Sequence, residues 1–130
     1  MNLRTFNLVH AQARAGALQA IKDAPEGYQV TVGPPKRTKA QNRRYWGRGV
    51  LAQIAEQVSV SGKKYSTESW HEMFKRRFIG VIELPSGDIV GKSSADLDKT
   101  DFAKFCQEIE AYASTDLGVV FIDLQGELNV

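Results

Sequence analysis

The chain has 130 residues and a formal net charge of only +2, from 17 Lys and Arg against 15 Asp and Glu. Its 42% hydrophobic content excludes wholesale disorder, and its single Cys106 excludes an internal disulfide. The length predicts one domain over 1–130. No signal peptide is evident and no apolar run approaches the ~20 residues of a membrane span, so we expect a cytoplasmic protein without membrane contact.

Charge is distributed unevenly along the chain. Residues 1–35 carry three bases and two acids, residues 36–78 carry eleven and three, and residues 79–130 carry three and ten. The net charges of these segments are +1, +8 and −7, and no acid occurs between Glu26 and Glu56. Asymmetry of this kind points to a polyanionic partner.

The first 35 residues predict a β-α-β unit. Residues 3–9 and 28–32 alternate in the manner of short strands. Between them, residues 11–24 place apolar side chains on one helical face, and Pro25 with Gly27 ends the helix.

The next predicted helix is the clearest in the sequence. It begins at an N-cap, Thr38, and runs to about Val58. Residues spaced by three and four form its apolar face: Trp46, Val50, Leu51, Ile54 and Val58. Gly47 and Gly49 fall inside this helix, where their small size would allow a close contact at a dimer interface.

Two hairpins and two helices are expected after it. Ser61-Gly62 predicts a turn within 60–65, and Ser66 is expected to cap a helix. Segments 81–84 and 89–90 flank a second turn. A last helix over 100–113 is capped by Asp98 or Thr100; its predicted inward residues are Phe102, Phe105, Cys106, Ile109 and Ala113.

A strand is expected over 119–124. Because the elements do not alternate as in a doubly wound sheet, we predict an α+β fold: a short mixed or antiparallel sheet packed with about four helices.

A stripe of basic and amide side chains lies beside the apolar face of the predicted 38–58 helix. On a helical wheel Gln41, Arg44 and Arg48 cluster, and Tyr45 falls off the apolar arc, where it could stack on a base. Guanidinium groups suit phosphate oxygens. A solvated helix face is the alternative, although such faces usually intersperse both signs of charge. Trp46 lies on the apolar arc and is by itself better read as core.

The segment Arg37-Thr38-Lys39-Ala40-Gln41-Asn42-Arg43-Arg44-Tyr45-Trp46 resembles the R-S/T-x-x-Q-N-R/K-x-x-W signature of the NinB (Orf) family of phage recombination proteins. The resemblance continues in register through Tyr65-Ser66-Thr67-Glu68-Ser69-Trp70-His71 and, more weakly, at 93–119. It implies an α+β, homodimeric, non-enzymatic recombination mediator. Such a protein binds single-stranded or gapped DNA, associates with the host single-strand-binding protein and assists recombinase loading.

The resemblance also implies functional positions. Gln41 and Trp46 match the family's functionally implicated residues near the DNA-binding cleft. Where basic residues are expected in some relatives, this chain has Asp96 and Asp98, so no DNA contact is expected there. Longer relatives are expected to carry a further C-terminal helix, and we do not expect that helix within the 130 residues of this sequence. The cytoplasm of a phage-infected or prophage-carrying bacterium is the expected location.

Other polar constellations give weaker predictions. Asp96, Asp98 and Asp101 lack the Gly and Glu of a calcium loop and suit helix capping. Glu68 and Glu72 could share a metal, but Glu72 is also one turn from Arg76. His71 is expected to be a surface or partner-contact residue, and Cys106 a core residue.

The leading hypothesis is therefore a DNA-binding recombination mediator with no cofactor, metal or catalytic residue. The alternatives are an adaptor for single-strand-binding protein that touches DNA only incidentally and, third, a metal-dependent structure-specific nuclease. The expected DNA-contact residues are Arg37, Lys39, Gln41, Asn42, Arg43, Arg44, Tyr45, Trp46, Arg48, Lys63, Lys64, Lys75, Arg76 and Arg77.

Overall fold

The computed structural model describes residues 3–124, and the chain forms two compact units, Met1–Pro35 and Lys36–Val130. The helices and antiparallel hairpins formed by the described residues confirm the predicted α+β class. The hairpins are separate two-stranded ribbons rather than one sheet. No helix within residues 3–124 is long and apolar enough to cross a membrane. The single domain over 1–130 stays a prediction.

The first unit contains the predicted helix, α1 (Ala11–Asp23). The His10 imidazole caps it by accepting a hydrogen bond from the Ala13 N–H at 3.1 Å. The strands predicted over 3–9 and 28–32 are wrong, because neither segment pairs with another within the described residues, and no β-α-β unit forms. An alternating pattern yields a strand only where a neighbour satisfies its N–H and C=O groups.

The second unit begins with two helices where one was predicted. α2 (Lys39–Tyr45) starts at the predicted cap Thr38, and α3 (Val50–Gln57) follows a turn, so the continuous helix to Val58 is wrong. Gly47 has a φ of +61°, and a Cβ on Gly49 would overlap the carbonyl oxygen of Arg44. Glycine permits this turn, which sets α2 and α3 in independent helical phases.

Both predicted hairpins are confirmed. β1 (Ser59–Val60) pairs with β2 (Lys63–Lys64), and β3 (Val81–Glu83) pairs with β4 (Ile89–Gly91). In the first, Ser61 and Gly62 have φ values of +52° and +78°. Positive φ at both turn residues is the geometry that fits the right-handed twist of a two-residue hairpin.

The helix between the hairpins is α4 (Thr67–Phe74), which continues into a π-helical segment, Lys75–Ile79. The predicted cap is confirmed, since the Ser66 hydroxyl accepts a hydrogen bond from the Ser69 N–H at 3.1 Å. Trp70 and Phe74 lie one turn apart on α4 and are both buried.

The last helix, α5 (Lys99–Asp116), forms the centre of the core. Asp98 caps it by accepting a hydrogen bond from the Asp101 N–H at 2.8 Å, as one of the two predicted caps. All five residues predicted to point inward are buried against α2, α3 and α4. These residues are Phe102, Phe105, Cys106, Ile109 and Ala113.

The strand predicted over 119–124 is wrong, although the segment is held in place. The amide of Gln53 bonds both the N–H and the C=O of Ile122, at 2.8 and 2.6 Å. The amide of Gln57 bonds Val120 in the same way, at 3.0 and 2.9 Å. Because the two glutamines lie one turn apart on α3, their amides match alternate residues of the segment and replace a partner strand.

Candidate nucleic-acid interface

The inner face of α2 consists of Gln41 and Tyr45, which lie one turn apart and are 1% and 0% exposed. The predictions that Gln41 belongs to an exposed basic stripe and that Tyr45 falls off the apolar face are wrong. Those predictions assumed one helical phase from 38 to 58, whereas the turn at Gly47 and Gly49 separates the phase of α2 from that of α3. Neither side chain is available to contact DNA in this structure.

Gln41 joins α2 to α5. Its Oε1 accepts a hydrogen bond from the Thr38 N–H at 2.8 Å, while the Thr38 hydroxyl accepts one from the Gln41 N–H at 3.0 Å. This is a reciprocal capping box. Its Nε2 donates to the Lys99 carbonyl at 3.0 Å. The amide thus stabilises both the start of α2 and its contact with α5.

Tyr45 joins α2 to α4. Its hydroxyl lies 2.6 Å from Nδ1 of His71, and its ring packs edge-on against Trp46 and Phe102. Burial raises the pKa of the Tyr45 phenol. Burial, with Lys75 and Arg37 nearby and Glu72 opposing, lowers the pKa of His71 to about 4. The imidazole is therefore neutral at pH 7. Because the buried Tyr45 O–H has no other acceptor among residues 3–124, we assign it as the donor and Nδ1 as the acceptor.

Two of the predicted DNA-contact arginines have interior partners. Arg44 Nη2 lies 2.8 Å from Glu110 Oε1, and these side chains are only 14% and 16% exposed. The guanidinium of Arg37 lies 4.4 Å from the ring centroid of Phe102, within cation–π range. Part of the +8 segment is thus neutralised or covered by α5, which belongs to the acidic segment.

The outer face of α2 lies opposite its inner face and consists of Lys39, Asn42 and Arg43, followed by Trp46 at the C-cap. Lys39 and Arg43 are exposed and one turn apart, and Asn42 and Trp46 are half-buried. Neither cation forms an ion pair with any residue in 3–124. Lys36 and Arg48, which precede and follow α2, are also exposed. Lys39, Arg43 and Arg48 are thus the predicted DNA contacts on or beside α2 whose charge is available to solvent, and Lys36 is a further exposed cation that was not among those predicted.

The other predicted basic contacts differ in availability. Lys64 donates to the Glu56 carbonyl at 2.7 Å, and the ammonium of Lys63 lies 5.0 Å from the ring centroid of Tyr65. The guanidinium of Arg77 lies 4.3 Å from the ring centroid of Tyr112. Lys63 and Lys64 lie on β2, and Arg77 lies in the π-helical segment. Each of the three has a contact within the protein, but none forms an ion pair with a residue in 3–124.

Lys75 and Arg76 both pair with Glu72, at 3.0 and 2.8 Å. Glu72 Oε2 also accepts a hydrogen bond from the Gly91 N–H at 2.7 Å. The Arg76 hydrogen bond, then those of Gly91 and Lys75, lower the pKa of Glu72 to about 2. The expected pairing of Glu72 with Arg76 is therefore confirmed, and Glu72 ties α4 to β4.

No three His, Cys, Asp or Glu side chains among residues 3–124 are grouped so that they could hold a metal ion.

The core assignment of Cys106 is confirmed by its 2% exposure. Burial first, and Glu110 second, raise the pKa of its thiol to about 12.

The sequence predicted His71 to be a surface or partner-contact residue, whereas the structure places it half-buried against Tyr45. Its contact with Tyr45 spans 26 residues and crosses from α2 to α4. The periodicity of either helix alone therefore gives no signal for it; the only local hint is its position beside Trp70 in the segment that matches the family.

These features define a small α+β protein with an exposed cationic helix face over an aromatic core. The family model described as NinB protein matches residues 2–122. A solved structure described as "Structural Genomics, NinB" is similar in fold, with a TM-score of 0.52 and 23% identity, over 95% of this chain and 97% of that chain. No curated protein matches the chain.

The chain belongs to the NinB family. This confirms the family resemblance of the Arg37–Trp46 segment and links the protein to phage recombination.

Proposed function

We propose that the protein binds single-stranded or gapped DNA through the outer face of α2 and acts as a non-catalytic recombination mediator. One observation carries the proposal: Lys39 and Arg43 are exposed and without ion pairs in residues 3–124, whereas the neighbouring Arg44 is paired inside. The link of the family to phage recombination supports DNA as the polyanion.

Binding of this kind is electrostatic in origin. Each phosphate that a Lys or Arg neutralises releases condensed counterions, so affinity falls with salt by about 0.7 log units per log unit of salt for each contact on a single strand. Lys36 and Arg48 extend the available charge beyond both ends of α2. Asn42 offers amide contacts to sugar, phosphate or base edges, and Trp46 offers a stacking surface.

The proposed mediator is a homodimer that associates with the host single-strand-binding protein and assists recombinase loading. Exposed apolar side chains in the first unit support self-association: Leu18 and Ile21 on α1 are 61% and 48% exposed, and Val32 is 82% exposed. Leu18 and Ile21 lie about one turn apart on α1, and contiguous exposed apolar patches commonly mark protein contacts. Light scattering after size exclusion should give twice the mass of the 14.4 kDa chain.

Fluorescence anisotropy at two or more salt concentrations tests the DNA proposal on single-stranded, duplex and gapped oligonucleotides. The double variant Lys39→Ala with Arg43→Ala should weaken binding and reduce the salt slope by about 1.4, corresponding to two lost phosphate contacts. Lys104→Ala is the matched control, because it removes an exposed cation from α5. An unchanged slope in the double variant would contradict the placement of DNA on this face.

Two further measurements separate the alternatives. An adaptor that contacts DNA only incidentally should still pull down single-strand-binding protein from nuclease-treated samples. If it does, and if the double variant binds oligonucleotides as well as the native protein does, the adaptor function would be favoured. Incubation with branched DNA in Mg²⁺ or Mn²⁺ should give no product. Metal-dependent cleavage would contradict a non-catalytic role.

A further inference from the structure

Trp46 and His71 form a ring pair at the end of the outer face of α2. Their ring centroids are 4.7 Å apart at an interplanar angle of 60°, and both residues are half-buried. Exposed arginines flank the pair along the chain: Arg43 lies about one helical turn before Trp46, and Arg48 lies two residues after it. A hydrogen bond of 2.9 Å from the Gly49 N–H to the Trp46 carbonyl closes the turn that holds Arg48 there.

Tyr45 fixes the orientation of the His71 ring. Its hydroxyl bonds Nδ1 at 2.6 Å, and the low pKa of the ring keeps it neutral near pH 7. A neutral imidazole whose Nδ1 accepts a hydrogen bond carries its proton on Nε2. No residue in 3–124 bonds Nε2, and this atom is not among the buried side-chain atoms without a partner. His71 therefore presents a positioned, uncharged N–H donor beside the half-buried indole.

We propose that Trp46 and His71 form a nucleobase site, in which an unpaired base stacks on the indole and accepts a hydrogen bond from His71 Nε2–H. Tyr45 acts as the positioning residue for His71. This proposal rests on the proposed function. It specifies that the protein contacts the bases of the single strand in addition to its phosphates. Aromatic side chains stack on any unpaired base, whereas bases in a duplex keep their faces covered by their neighbours.

A base contact by a neutral donor differs from a phosphate contact in two measurable ways. It releases no counterion, so losing it leaves the salt slope unchanged. It also vanishes when the oligonucleotide keeps its phosphates but lacks bases. If His71 serves only to satisfy the buried Tyr45 hydroxyl, neither difference arises.

The test compares an oligothymidylate with an abasic oligonucleotide of equal length, by anisotropy at several salt concentrations. The native protein should bind the oligothymidylate about 10-fold more tightly. His71→Phe, which keeps ring volume but removes the donor, should lose about 5-fold in affinity for oligothymidylate alone, with an unchanged salt slope. His71→Gln carries an amide N–H that can approach the position of Nε2 and should recover most of that loss. Tyr45→Phe should lose about 2-fold, again only on the oligothymidylate.

A second measurement needs no variant. An oligonucleotide of difluorotoluene, which has the shape of thymine but no strong acceptors, should bind the native protein about 5-fold more weakly than oligothymidylate. Equal binding of these two, or an equal loss by His71→Phe on bases and abasic sites, would overturn the base site. Native protein that binds bases and abasic sites equally would also overturn it while leaving phosphate binding intact. Failure to bind any single strand would instead contradict the proposed function.

Discussion

Two adjacent arginines on α2 have opposite environments. Arg44 lies 2.8 Å from Glu110 with 14% of its side chain exposed, while Arg43 is exposed and forms no ion pair within residues 3–124. Residues next to each other on a helix point about 100° apart, so one can face α5 and the other solvent. Membership of a basic run therefore does not determine whether a charge is available to a ligand.

The inner and outer faces of α2 divide the family signature in the same way. Thr38 and Gln41 form the capping box and Tyr45 fills the core, whereas Lys39 and Arg43 are exposed and Trp46 is half-buried against the edge of the core. A signature residue can thus maintain the site without touching a ligand. Five predictions test this division, and they are ordered by the expected change in the free energy of unfolding.

Gly49→Ala should have the largest effect. A Cβ at this position would overlap the Arg44 carbonyl, which belongs to rigid backbone, so the turn between α2 and α3 would have to open. We expect a loss of about 4 kcal/mol in the free energy of unfolding, measured by urea denaturation. Gly33→Ala is the control, since nothing beyond Gly33 and its two chain neighbours lies within 4 Å of the added Cβ. A loss no larger than that of the control would mean that the turn adapts freely.

Arg44→Ala should cost about 3 kcal/mol, because it leaves the largely buried Glu110 without its ion pair. Replacing both partners by apolar residues of similar size, Arg44→Met with Glu110→Leu, should recover most of the loss because no uncompensated charge stays buried. Thermal unfolding of the three proteins measures the effect. Should Arg44→Ala unfold like the native protein, Arg44 would belong with the outer face after all.

Gln41→Ala should cost about 2 kcal/mol, because it removes the reciprocal cap and the hydrogen bond to α5. Asn42→Ala, one residue away and half-buried, should change stability by less than about 0.5 kcal/mol. At temperatures where Gln41→Ala is folded, its DNA salt slope should equal that of the native protein. A reduced slope with native stability would place Gln41 at the ligand.

The elements that depend on neighbouring residues could be read from the sequence. Thr38, Ser66 and Asp98 each bond an N–H three residues ahead, so their capping was predictable from local patterns. The break in the long helix was missed, although its glycines are local, because apolar spacing continued through them. The partners of Gln53 and Gln57 lie 69 and 63 residues away, and no local pattern reports such distances.

The candidate site divides along the same line. The basic segment and its helix were predictable, and so were Lys39, Arg43 and Arg48 as exposed cations. The sequence could not show that Gln41 and Tyr45 face the interior while these cations face solvent. Which side of α2 faces inward is determined by the contacts of Gln41 with α5 and of Tyr45 with α4.

Stability should fall as the pH drops from about 6.5 to 4. His71 in the folded protein has a pKa of about 4, below its ordinary 6.5, so the unfolded chain binds an additional proton in this range. Solvent screening of the half-buried ring limits the loss to about 1 kcal/mol. Glu72, with a pKa near 2, adds its own loss only below its ordinary 4.5. In His71→Gln the stability between pH 6.5 and 4.5, followed by thermal unfolding, should be flat; a slope like that of the native protein would assign the effect elsewhere.

The smallest change in stability is expected for Arg43→Ala and Arg76→Ala, each under about 0.5 kcal/mol. The two variants are expected to differ in the salt dependence of DNA binding. Both arginines are exposed, but Arg76 lies 2.8 Å from Glu72, whereas Arg43 has no acidic partner in residues 3–124. A phosphate must compete with the Glu72 carboxylate for Arg76, so Arg43→Ala should reduce the salt slope by about 0.7 and Arg76→Ala by clearly less.

Glu72→Gln supplies the control for this comparison. It removes the competing charge but keeps an oxygen that can accept the Gly91 N–H, so Arg76 becomes available while the contact of α4 with β4 persists. In that background Arg76→Ala should reduce the slope more than it does in the native protein. If both arginines reduce the slope equally with Glu72 present, internal pairing does not decide which cations reach DNA, and the distinction between paired and unpaired charge fails.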